Sequence, residues 1–97
     1  MATAQVTKFG KLLFTQGVNS RVADSPEFAK FTLDSLRRHI RGDWGDMCDE
    51  DKAENDLALK RGDLRLFSAY ENPEQPKIWI ITEADRSATT ILFPEEY

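Results

Sequence analysis

Lys77-Ile78-Trp79-Ile80-Ile81-Thr82 is apolar at successive positions, and this constrains the fold more than any other stretch. Alternate side chains of a strand point to opposite faces, so a run that is apolar on both faces needs cover on both. It reads as the central strand of a sheet. Leu64-Arg65-Leu66-Phe67-Ser68-Ala69-Tyr70 partly alternates and leads to it through Asn72-Pro73-Glu74-Gln75-Pro76, a segment with turn chemistry. Glu83 to Ser87 turns the chain again, and Ala88-Thr89-Thr90-Ile91-Leu92-Phe93 returns it until Pro94 ends the strand. Connections this short favour antiparallel neighbours. Lys11-Leu12-Leu13-Phe14-Thr15 is a further strand candidate for an edge, ended by Gly17.

Two segments carry helix signals instead. Ser25 is placed to cap a helix whose first position is Pro26, where a missing N–H costs nothing. At 100° per residue, Phe28, Ala29, Thr32, Leu33, Leu36, His39 and Ile40 share one broad face, with Lys30, Asp34, Arg37 and Arg41 opposite. Gly42 is its expected stop. The second helix, residues 49–61, is more polar: Asp49 is its expected cap, Glu50 and Asp51 suit its positive end, Lys60 and Arg61 its negative end, and Gly62 stops it. Val18 to Ala23 has room for one helical turn. The expected fold class is α+β, a single domain over residues 11–97 with an antiparallel three- to four-stranded sheet and two helices packed on one face. Residues 1–10 show no period and read as a flexible arm.

Charge is divided along the chain. Residues 1–42 hold seven bases against three acids, a net of +4, and residues 43–97 hold six bases against fourteen acids, a net of −8. The overall balance of −4 argues against direct nucleic-acid binding and favours a protein partner with a basic surface. No apolar run approaches the roughly 20 residues of a membrane span. One cysteine, Cys48, excludes an intramolecular disulfide, and a cytoplasmic location is the expectation.

Several of these segments resemble a family of small bacterial proteins found on plasmids, phages and genomic islands. The resemblance is carried by Arg38-His39-Ile40-Arg41-Gly42-Asp43-Trp44-Gly45-Asp46, by Asn55, Leu59 and Gly62, and by Leu66-Phe67-Ser68-Ala69-Tyr70. The long segment from Lys77-Ile78-Trp79 through Glu83-Ala84-Asp85-Arg86-Ser87 to Thr90 adds to it, as does Phe93-Pro94-Glu95-Glu96-Tyr97. It spans roughly residues 11–97. It implies a setting in the mobile genome and implies no particular activity, so it assigns no catalytic residue.

Candidate functional residues therefore come from chemistry alone. Asp43, Asp46, Asp49, Glu50, Asp51, Glu54 and Asp56 set seven carboxylates against one base, Lys52. Such a surface mimics a phosphate backbone, or else simply complements a helix dipole. Its spacing lacks the central glycine of a calcium loop, and no metal or cofactor site is expected. Trp44, between two glycines and two carboxylates, is either a core plug or an exposed anchor. Arg86, in a turn rich in hydroxyls, either shapes that turn or clamps an anion. His39 and Cys48 supply the elements of a nucleophilic pair, but His39 falls on the apolar helix face, where a packed histidine bonded to backbone is the plainer reading. No phosphate loop, paired-cysteine motif or nucleophile elbow is present. The candidate partner-binding residues are Asp43, Trp44, Asp46, Asp49, Glu50, Asp51, Glu54 and Arg86. The expected function is a non-enzymatic interaction module, such as an anti-CRISPR or anti-restriction inhibitor. The alternatives are an accessory or regulatory protein, potentially a homo-oligomer joined at a sheet edge, and a small enzyme or toxin using Asp43, Asp46 and Arg86.

Overall fold

In the computed structural model, which describes residues 9–97, Ser25 opens the long helix as its chemistry requires. Its Oγ accepts the Phe28 N–H at 3.1 Å, and Pro26 occupies the first turn. The elements in chain order are β1 (Lys11–Phe14), α1 (Gln16–Asp24), α2 (Pro26–Ile40), α3 (Asp49–Arg61), β2 (Leu66–Asn72), β3 (Gln75–Thr82) and β4 (Ala88–Leu92). A 3-10 turn, Pro94–Glu96, follows. The protein is an α+β unit with a four-stranded sheet in the order β1-β4-β3-β2.

β2, β3 and β4 form the expected antiparallel meander, with Ser68 opposite Ile80 and Ile80 opposite Ile91. β1 departs from expectation. It lies beside β4 in parallel, with Leu13 opposite Thr90, so the sheet is mixed rather than wholly antiparallel. The short-connection argument does not reach β1, because its partner lies at the far end of the sequence and direction is set by the excursion between them.

Three helices pack on the sheet, not two. The expected single turn at 18–23 extends to the nine residues of α1, because Thr15 caps it through the Val18 N–H. The buried stripe of α2 is Phe28, Thr32, Ser35 and His39, whereas Leu33 and Ile40 are exposed. Hydropathy placed the stripe off centre because three of its four buried members are polar. In α3 the cap position belongs to Cys48, and Asp49 is the first helical residue.

One face of the sheet holds the core. Tyr70, Ile78, Ile80 and Ile91 meet Val18 and Phe28, with Val22, Phe31, Leu36 and Phe93 around them. Complete burial of side chains this size contributes roughly 1.5–3 kcal/mol each. A second cluster joins Phe9, Trp44, Ala58 and Leu66. Of the expected arm, residues 1–8 lie outside the described residues, and Phe9 is buried. The opposite face carries an aromatic row: Trp79 stacks at 4.9 Å from Phe67 and at 5.7 Å from Tyr97.

Candidate interaction surface

The residues flagged from sequence separate into two groups. Asp43, Trp44, Asp46 and Arg86 are tied into the fold. Arg38 donates to both oxygens of Asp43, at 2.8 and 3.1 Å, and Arg41 lies 4.0 Å away. The Arg38 hydrogen bond holds the Asp43 carboxyl below its usual range, and the same pairing raises Arg38. Trp44 is buried, its ring edge-on to His39 at 5.5 Å and its Nε1–H donating to Asp56 at 2.8 Å. The indole therefore fills the core and is not an exposed anchor.

Asp46 belongs to a device that closes one edge of the sheet. A strand edge exposes alternate N–H and C=O groups that need partners. Along β2, Asn55 presents its amide as a substitute peptide: its Nδ2 donates to the Phe67 carbonyl at 2.6 Å and its Oδ1 accepts the Phe67 N–H at 3.0 Å. Ala69 N–H then donates to the Trp44 carbonyl, and Asp46 N–H donates to the Ala69 carbonyl at 2.7 Å. The Asp46 carboxylate accepts the Glu71 N–H at 2.9 Å. Gly45, at φ +76°, permits this approach, because a Cβ there would run into the Ala69 carbonyl oxygen.

Arg86 is also structural. Its Nη1 donates to the carbonyls of Leu64, Glu83 and Ala84, and its Nη2 to that of Ala58 at 3.0 Å. The guanidinium thereby joins the end of α3 to the β3–β4 turn from a backbone held at φ +62°. Asp43, Asp46 and Arg86, which the enzyme alternative needs in one cleft, are each engaged by separate partners.

His39 is fully buried and Cys48 is exposed, so they do not form a nucleophile–base pair. The histidine is bonded not to backbone but to hydroxyls: Nδ1 to Ser68 at 2.5 Å and Nε2 to Thr82 at 2.8 Å. Burial, with the Arg86 charge adding to it, lowers its pKa to about 4. The basic residues of α2 are likewise spoken for, with Lys30 and Arg37 on Asp34, and Arg38 and Arg41 on Asp43.

Asp49, Glu50, Asp51 and Glu54 form the second group. All four are exposed on the first turns of α3, and among the described residues none is in a salt bridge. Asp51 and Glu54 border a groove of about 670 Å³ whose apolar floor is Met47, Leu57, Leu64 and Phe67. Leu57 and Leu64 are exposed. Phe67 links this floor to Trp79 and Tyr97, so groove and aromatic row are continuous. The carboxylates were legible in sequence; the floor was not, because Met47 comes from the α2–α3 connection, Leu57 from α3 and Phe67 from β2. Among the described residues no group of three or more His, Cys, Asp or Glu is arranged to hold a metal, and no helix is long and apolar enough to cross a membrane.

No family model, curated protein or solved structure matches the chain.

Proposed function

We propose that this chain is a non-enzymatic interaction module of the mobile genome that docks a protein partner bearing a basic surface. The partner's cations meet Asp49, Glu50, Asp51 and Glu54, and an apolar side chain beside them enters the groove over Leu57 and Phe67. The observation that carries this reading is the contrast within one acidic segment. Asp43, Asp46 and Asp56 are consumed by the fold, whereas the four carboxylates at the start of α3 have no salt-bridge partner among the described residues, and two of them, Asp51 and Glu54, border exposed apolar surface. Neither half suffices alone: carboxylates at a helix start complement its dipole, and single exposed leucines are common. Together they supply the charged rim and apolar centre of a recognition surface. With the mobile-element resemblance, the target class is a nucleic-acid-binding defence complex, of the CRISPR or restriction type, whose basic groove the acidic helix occupies.

Affinity for a partner captured from host lysate tests this directly. It should fall as ionic strength rises, since the rim charges are exposed to screening. The triple reversal Asp49→Lys, Glu50→Lys and Asp51→Lys should abolish capture while the circular dichroism spectrum stays unchanged. Salt-independent binding, or full capture by the triple variant, rules the reading out.

A further inference from the structure

The two edges of the sheet are treated oppositely. The β2 edge is closed group by group by Asn55, Trp44 and Asp46. Among the described residues the β1 edge is open. Lys11 N–H donates to Ser87 and Thr15 N–H donates to Ile91, so the odd residues of β1 face β4. By the alternation of a strand, Leu12 and Phe14 aim their N–H and C=O groups outward. Among the described residues nothing pairs with them. The same four residues carry three consecutive exposed apolar side chains, Leu12 at 45%, Leu13 at 46% and Phe14 at 38%. Lys11 is the sole charge on the strand, and no proline or bulge protects it.

We propose that a second copy of this chain occupies that edge, joining the two sheets through antiparallel β1 strands about a two-fold axis at Leu13. The register follows from geometry. A two-fold perpendicular to the sheet pairs residues that lie on the same face. Centring it on Leu12 sets Phe14 against Gly10, whose φ of +70° is not extended. Centring it on Phe14 sets Leu12 against Gln16, which is helical. Centring it on Leu13 alone sets Leu12 opposite the second copy's Phe14, and the reverse, so that all the outward groups of both residues are paired. Side chains agree with this register. Leu12 meets Phe14 on the helix side, Leu13 meets Leu13 on the other, and the two lysines sit at opposite ends opposite Thr15, so no like charges are brought together. Contact through so short a strand falls below the ~1,200 Å² of a standard stable interface, so the dimer is reversible.

Sedimentation equilibrium from roughly 10 µM to about 1 mM should show monomer passing into dimer. Leu13→Lys should remain monomeric and folded, because Leu13 is exposed. In a Cys48→Ser background, Leu13→Cys should oxidise to a symmetric disulfide-linked dimer. The two Leu13 positions form a non-hydrogen-bonded pair about 4.5 Å apart at Cα, within disulfide range. In hydrogen exchange, the Leu12 and Phe14 amides should gain protection with concentration. A monomer throughout the range overturns the proposal. So does a dimer that survives Leu13→Lys, or Leu13→Cys that fails to cross-link. None of these outcomes bears on the α3 groove, which lies at the other end of the sheet.

Discussion

The protonation state of His39 follows from its neighbours, and it makes stability depend on pH in a calculable way. Thr89 Oγ1 donates its hydrogen to the Phe9 carbonyl at 2.7 Å, so it accepts from Thr82. Thr82 has then used its hydrogen and must accept from His39 Nε2–H, which leaves Nδ1 to accept from Ser68. The relay fixes a neutral imidazole with its proton on Nε2. Burial among Phe9 and Trp44 lowers its pKa from 6.5 to about 4. Above pH 6.5 the ring is neutral in folded and unfolded chains alike, and pH has no effect through this group. Between 6.5 and about 4 the unfolded chain takes up a proton that the folded chain refuses. Stability therefore falls with pH by about 1.4 kcal/mol per unit, and by about 3 kcal/mol in all. Below about 4 the loss levels off. That is a large share of the roughly 5–15 kcal/mol expected for a domain of this size. Urea unfolding across pH 3.5–8 measures it, with His39→Gln as the reference that carries the same carboxylates. Glutamine keeps a donor and an acceptor, loses ring packing, and should cost about 1–3 kcal/mol at neutral pH while removing the histidine slope. His39 is the only histidine, so its NMR titration needs no assignment. An imidazole that titrates near 6.5 in the folded protein, or parallel pH profiles for wild type and variant, refutes the argument.

Other perturbations have equally definite outcomes. Asn55→Ala strips both partners from Phe67 and should cost about 1–3 kcal/mol in urea unfolding; Asn55→Asp should cost more, because it sets a carboxylate against the Phe67 carbonyl. Gly45→Ala should abolish the folded near-ultraviolet spectrum, whereas Gly62→Ala, at similar φ but in open space, should lose only about 1 kcal/mol. Glu96, whose carboxylate accepts from Thr15 and from the Phe93 and Gly17 N–H groups, is held below its usual pKa by those bonds. It contributes stability above its unfolded pKa that is lost as pH falls through the folded value, so Glu96→Gln should be less stable than wild type at pH 7 and equal to it in strong acid.

What could be read in advance was what local chemistry specifies. Ser25-Pro26 located the start of α2, Gly62 the end of α3 in a left-handed cap, and the doubly apolar run at 78–81 the interior strand. Pairing between distant segments was not legible. Nothing in Lys11–Phe14 says that its partner is Ala88–Ile91 or that the two run parallel. Arg86 illustrates the same limit at the candidate site. Its fork suits an anion as well as it suits carbonyls, and only the positions of Ala58 and Leu64 decide the matter. Asn55 is one more polar residue of α3 when read in sequence, and its use as a surrogate peptide depends on where α3 lies against β2. The exposed carboxylates were visible because a helix start favours them; their apolar neighbour needed α3, β2 and the α2–α3 connection brought together.

The parallel partnership of β1 has a consequence for synthesis. The residues that hold Lys11–Phe14, 88–91, leave the ribosome 77 positions after their partners. At 5–20 residues per second that interval lasts several seconds or more. Throughout it the nascent chain carries the apolar run Leu12-Leu13-Phe14 without its partner strand, so chaperone binding during translation should centre on residues 12–14 and end once β4 is available to pair.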